Sequence, residues 1–128
     1  MDKIRATSRS LDKADEQVDK GPVHIEAIRL GDFKVKRQTY PPGWRFSTDM
    51  GQAQCYDTHV GYAISGHVHV QLNSGEELDV RGGDVFVIPP GHDAWTIGDE
   101  EAVIVQFDEG ASALERFGVE APAKARAA

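Results

Sequence analysis

The sequence predicts an all-β domain, an antiparallel sandwich or barrel, from three observations. Short β-like segments recur at roughly eight- to ten-residue spacing. Most are bounded by Gly, Pro, Asn or Asp, the residues that turn a chain. No helical period lies between them, so nothing supplies the crossover helices that a parallel sheet needs.

Taken in order, residues 1–20 carry charges of both signs, with only Ile4, Leu11 and Val18 as sizeable apolar groups and no clean period. They are expected to form an arm, helical around Leu11 to Val18 or ordered only against a partner subunit. From Val23 the texture changes. Polar His24, Glu26, Arg29 and Lys34 interleave with Val23, Ile25, Ile28, Leu30, Phe33 and Val35, and Gly31-Asp32 separates two runs, which predicts strand, turn, strand. Pro41-Pro42-Gly43 then breaks any regular element. Further strands are expected over Trp44 to Thr48, His59 to Ser65, His67 to Leu72, Glu76 to Val80, Asp84 to Ile88, Trp95 to Gly98 and Val103 to Phe107. Ala111 to Phe117 predicts one or two helical turns with Leu114 and Phe117 inward, and Pro122 to Ala128 a frayed terminus. The expected organisation is an arm over 1–20, a barrel over 21–110, and a short helix with a frayed tail over 111–128.

A chain of 128 residues supports one hydrophobic core and no more. Its 40% hydrophobic and 27% charged residues are those of a soluble globular protein. The net charge of −7 repels phosphate backbones and anionic lipid heads, so neither nucleic acid nor a membrane is an expected partner. The longest apolar run, Val85 to Pro90, is far below a membrane span. The opening residues MDKIRATSRS show no charged-then-apolar leader, and a single cysteine cannot form an internal disulfide. A cytoplasmic location is expected, with the Cys55 thiol free as core group, ligand or nucleophile.

Two stretches carry the candidate chemistry. QCYDTHVGYAISG, Gln54 to Gly66, sets Cys55 four residues before His59 at the head of an apolar run that stops at glycine. GGDVFVIPPGHDAW, Gly82 to Trp95, places His92 behind a Pro-Pro-Gly turn. Residues four apart on an extended strand are separated by about 13 Å. Cys55 and His59 can therefore share one ion only if the chain bends at Tyr56-Asp57-Thr58, where Asp and Thr suit a turn.

These glycine-anchored segments resemble the two motifs of the cupin superfamily. The second motif asks for Gly, five residues, Pro, any residue, Gly, and Gly83, DVFVI, Pro89, Pro90 and Gly91 answer it. The resemblance covers roughly residues 35 to 108 and implies a double-stranded β-helix, or jelly-roll, barrel. Seven residues before Gly66, where that family usually has a glutamate ligand, stands His59. The two usual first-motif histidines would fall at Cys55 and Ala53, and the second-motif histidine at Ala94. The usual three-histidine, one-glutamate set is thus absent. Cys55 and His59 remain in ligand positions, and His92 has the strand parity of position 94.

A thiolate and two imidazoles with an open fourth position suit zinc, with copper or iron as alternatives, better than manganese or magnesium. Two other readings compete. Cys55 can be a small buried hydrophobe with His59 and His92 as hydrogen-bonded walls, or a nucleophile with His59 as its base. Trp44, Arg45, Tyr62, Phe86, Trp95 and Gln106 are the expected ligand-pocket residues. The aromatics serve equally as core, and Arg45 either grips a substrate carboxylate or forms a surface ion pair. Asp93 either orients His92 or stabilises its turn, and His67 and His69 form a row opposite a buried valine face. The function classes left open are a metal-dependent enzyme on a small organic substrate and a non-catalytic module sensing a metabolite or metal. The expected partners are a small-molecule ligand and a second copy in a homodimer.

Overall fold

The computed structural model describes residues 6–31 and 33–108. Nine strands are formed among them: β1 Glu16–Lys20, β2 Val23–Leu30, β3 Phe33–Tyr40, β4 His59–Ser65, β5 His67–Leu72, β6 Glu77–Arg81, β7 Val85–Ile88, β8 His92–Thr96 and β9 Ala102–Asp108. One helical turn, α1 Phe46–Asp49, interrupts them. The strands make a six-stranded sheet in the order β1-β2-β3-β9-β4-β7 and a three-stranded sheet in the order β6-β5-β8. Every ladder is antiparallel, which fits the absence of crossover helices.

The hydrophobic alternation decides which faces meet. Ile25, Ala63, Phe86, Ile88 and Ile104 of the large sheet pack against Val68, Val70, Val80 and Ala94 of the small one. Val70 is fully buried, which stabilises the fold by about 2 kcal/mol relative to an exposed valine. The two sheets close on each other through these side chains. No ladder joins their edges among the described residues, so the expected barrel is an open jelly roll.

Three expectations change. The stretch 44–48 is not a strand: Trp44 closes a turn onto Pro41 O at 3.2 Å and Phe46–Asp49 coils into α1. Two carboxylates stabilise that turn by accepting from its otherwise orphaned amides, Asp49 from Arg45 N at 2.8 Å and Asp93 from Ser47 N at 3.0 Å. Among the described residues of the 1–20 arm, the helix expected around Leu11 to Val18 is replaced by one 3-10 turn, Leu11–Lys13, and β1, which joins β2 as an exposed edge strand. Strand β8 begins at His92, three residues before the expected Trp95, because Cys55 pairs with His92 there. The helix expected at 111–117 and the frayed end at 122–128 lie outside the described residues, as does Asp32 of the first turn.

Candidate metal centre and ligand cavity

Cys55 is fixed by backbone before its side chain does anything. Its N–H donates to His92 O at 2.7 Å, and its carbonyl accepts from Gly91 N at 2.8 Å and His92 N at 3.1 Å. The chain then leaves the extended form over 56–58 and re-enters at His59, the first residue of β4. That bend brings Cys55 Sγ to 3.4 Å from His59 Nε2. The His59 and His92 rings meet edge-on with centroids 5.2 Å apart. One ligand atom from each of Cys55, His59 and His92 lies within 4.8 Å of the other two.

The donor set fits a transition metal. The His92 ring nitrogen Nδ1 donates to Pro89 O at 2.8 Å, which leaves Nε2 as the lone-pair nitrogen. Burial pushes the His92 pKa down and outweighs the opposing hydrogen bond to Pro89 and the charges of Asp57 and Asp93, so the ring is neutral as a ligand must be. A sulfur–nitrogen separation of 3.4 Å is that of two ligands on one ion with bonds of about 2.0–2.3 Å. Without an ion the same contact is a thiol–imidazole hydrogen bond.

The three residues sit in the wall of a cavity of about 170 Å³ between the sheets. Of the expected pocket residues, Trp44, Phe86 and Gln106 line it. Arg45, Tyr62 and Trp95 are placed elsewhere. Tyr62 is 43% exposed on the outer face of β4, because it lies an odd number of residues from inward-facing His59. Trp95 is likewise three residues from His92 and turns outward, where it stacks 5.0 Å from the His69 ring and lies under the Arg45 guanidinium at 4.4 Å. Arg45 forms its ion pair with Asp93 at 2.9 Å. Burial raises the Asp93 carboxyl, but hydrogen bonds from Ser47, Ala94 and Arg45 outweigh it and hold the group below its ordinary pKa. Asp93 thus braces α1 and its own turn.

The cavity has polar walls that sequence patterning passes over: Lys20, Lys36, Gln38, Tyr40 and Asp57. Lys36, Gln38 and Tyr40 alternate along β3, so their side chains share one face, and polar residues on an alternating strand read as the solvent side. Tyr40 donates to Gln38 Oε1, and Gln38 Nε2 donates to Gln106 Oε1 at 3.2 Å. Burial, with the neighbouring Cys55 charge, drives the Tyr40 phenol well above its ordinary pKa and keeps it a donor.

His67 and His69 lie on the outer face of the small sheet. Asp79 Oδ1 takes both, His67 Nε2 at 2.8 Å and His69 Nδ1 at 2.9 Å, while His69 Nε2 meets Glu77 at 2.9 Å. Hydrogen bonds to Asp79, then Glu77, raise the His69 pKa, and those that Asp79 accepts from His69, then His67, lower its own to about 2. The Asp79 contribution is present above its unfolded pKa of about 3.9 and fades as pH falls toward 2. The His69 contribution is present below about 6.5 and fades as pH rises through its raised value. Urea midpoints of the wild type are expected to decline on both sides of roughly pH 4 to 6.5, and Asp79→Asn to flatten that profile. Parallel profiles in the two proteins would remove the network from the stability of the fold.

No protein-family model matches the sequence, and no curated protein matches it. Solved structures do. A cupin 2 conserved barrel domain protein from Salinispora arenicola superposes with a TM-score of 0.59 at 19% identity, over 89% of this chain and 97% of that one. The chain has the cupin fold. The cupin domain of Cnp3 from Schizosaccharomyces pombe is similar with a TM-score of 0.56 at 14% identity, over 90% of this chain and 82% of that one. KdgF from a Halomonas species matches with a TM-score of 0.54 at 20% identity, over 72% and 83%. Among the described residues of this chain, no helix is long and apolar enough to cross a membrane.

Proposed function

We propose that this cupin holds one transition-metal ion at Cys55, His59 and His92 and binds a small organic ligand beside it in the cavity. The observation that carries the reading is the convergence of one thiol and two imidazoles, within 4.8 Å of one another, in the wall of that cavity. A soft sulfur with two imidazoles favours zinc, with copper or iron next. Such an ion would supply a Lewis acid at the cavity wall. Elemental analysis of protein purified without chelator is expected to find about one ion per chain, and a metal-free wild type overturns the reading.

Catalysis is the second reading, and Asp57 is the observation behind it. Its carboxylate lines the same cavity and acts electrostatically on His92, where it can serve as a general base. Metal-loaded protein that turns over none of a panel of small acids and diketones is a binding module.

A homodimer belongs to the proposal. The outer face of β4, β7 and β9 exposes Tyr62, Ile64, Val85, Val87 and Phe107, with Val85 78% exposed, an apolar patch that pairing would cover. Light scattering is expected to give twice the chain mass, and Val85→Lys with Val87→Lys to halve it. A monomeric wild type refutes the pairing.

A further inference from the structure

Two buried side-chain atoms have no hydrogen-bond partner among the described residues, Trp44 Nε1 and Thr58 Oγ1. Of the two residues, Trp44 lines the cavity and Thr58 does not. We propose that the ligand is a small neutral carbonyl compound whose oxygen accepts from the Trp44 indole N–H, an inference that rests on the proposed reading of the cavity as a ligand site.

Backbone bonds and burial hold the indole where it is. Trp44 N donates to Pro41 O at 3.2 Å and to Thr96 Oγ1 at 3.0 Å, and Trp44 O accepts from Thr96 N at 3.0 Å, which ties the residue to β8. The ring lies 4.5 Å from that of Tyr40, tilted by 49°, and Trp44 is only 5% exposed. Tyr40 lines the same cavity, close enough to Cys55 for the sulfur's charge to act on its phenol. One aromatic ring therefore separates the orphaned donor from the proposed metal ligands. A buried donor without an acceptor is costly, and a ligand oxygen relieves that cost.

The rest of the wall selects a neutral molecule. Its other polar groups are already committed. Tyr40 donates to Gln38 Oε1, Gln38 Nε2 donates to Gln106 Oε1 at 3.2 Å, and Lys36 and Asp57 each have a partner. Asp57 sets a carboxylate in this wall against an anion, as Lys36 sets an ammonium against a cation. An ion buried here without a free counter-charge costs far more than a carbonyl does. A hydroxyl oxygen brings a donor of its own that needs a further acceptor, whereas a carbonyl oxygen brings none. Val68, Val70, Val80, Ile88 and Ile104 complete the lining and suit an apolar body. A cavity of about 150 Å³ takes a benzene-sized molecule, so this one suits roughly six to ten non-hydrogen atoms.

Isothermal titration of the full-length chain with acetophenone, α-methylstyrene and benzoate tests the proposal. The three share a phenyl ring and a like-sized substituent, which carries a carbonyl oxygen, a methylene in its place, or a charge. Acetophenone is expected to bind in the millimolar range or tighter, and benzoate more weakly. Trp44→Phe keeps an aromatic ring and removes the donor. It is expected to weaken acetophenone at least about fivefold and α-methylstyrene by less than about twofold, a difference that cancels changes in packing. A nitrogen-15 correlation spectrum needs no substitution at Trp44. The chain has two tryptophans, and Trp95→Phe leaves the Trp44 indole signal alone. Its N–H proton is expected to move downfield with acetophenone and much less with α-methylstyrene. No binding of acetophenone, benzoate binding as tightly, equal losses for the two neutral ligands, or an indole signal that responds alike to both overturns the carbonyl contact. Elemental analysis of the same samples separates this from the metal reading. Metal-free protein whose acetophenone affinity depends on Trp44 overturns the metal and supports the indole contact. Metal-bearing protein whose acetophenone affinity ignores Trp44→Phe overturns the indole contact alone.

Discussion

Gly66→Ala is expected to lower the thermal midpoint by about 15 °C or more. Gly66 ends β4 and hands the chain from the large sheet to β5 of the small one. Its φ of +85° lies in the region that side chains disfavour. An added Cβ would stand 2.4 Å from Ala102 Cα, 2.5 Å from Glu101 O and 2.8 Å from Ala102 Cβ. Two of those three atoms are backbone at the entry to β9, which is held on both sides by β3 and β4, so neither can yield cheaply. The expected cost is about 4 kcal/mol, a large share of the roughly 5–15 kcal/mol that holds a domain of this size. Gly75→Ala is the control. Its φ is +92° and nothing lies within 4 Å of the added atom, so only the conformational cost of about 1–2 kcal/mol is expected. Circular dichroism melts of the two variants isolate the collision, and equal shifts would deny it.

Loss of a ligand should be nearly as large in binding terms. Cys55→Ser and His92→Ala are each expected to weaken metal binding by more than about 100-fold, beyond what loss of an outer-shell partner costs. The two substitutions differ in what else they do. Serine nearly preserves the volume of Cys55, whereas alanine empties the place of a side chain that is 3% exposed and costs about 2 kcal/mol or more by itself. Metal bound only by the folded state, at about 100 times its Kd, stabilises by about 2.7 kcal/mol. EDTA should therefore lower the wild-type midpoint by several degrees and leave Cys55→Ser unmoved. An identical chelator response in both proteins would take Cys55 out of the site.

The fold was legible because it is written locally. His59–Ser65 and His67–Leu72 form the strands their alternation predicts, since period two with a glycine at the junction needs no distant partner. Parity also carries information beyond the strands. The rule that turns His59 and His92 inward turns Tyr62 and Trp95 outward, three residues on in each case. By contrast, 44–48 looks extended in sequence, and part of what coils it is the carboxylate of Asp93, 46 residues from Ser47.

By itself, then, the sequence determined an antiparallel β domain with the cupin spacing of its glycines and prolines, and named Cys55, His59 and His92. Only the tertiary structure decided that these three converge, because convergence needs the bend before His59 and the pairing of Cys55 with His92. It alone turned Lys36, Gln38 and Tyr40 into cavity wall, because which face of β3 is inside depends on what β2 and β9 bury beside it. Alternation tells that two faces differ. Burial by the opposite sheet tells which one lines the cavity.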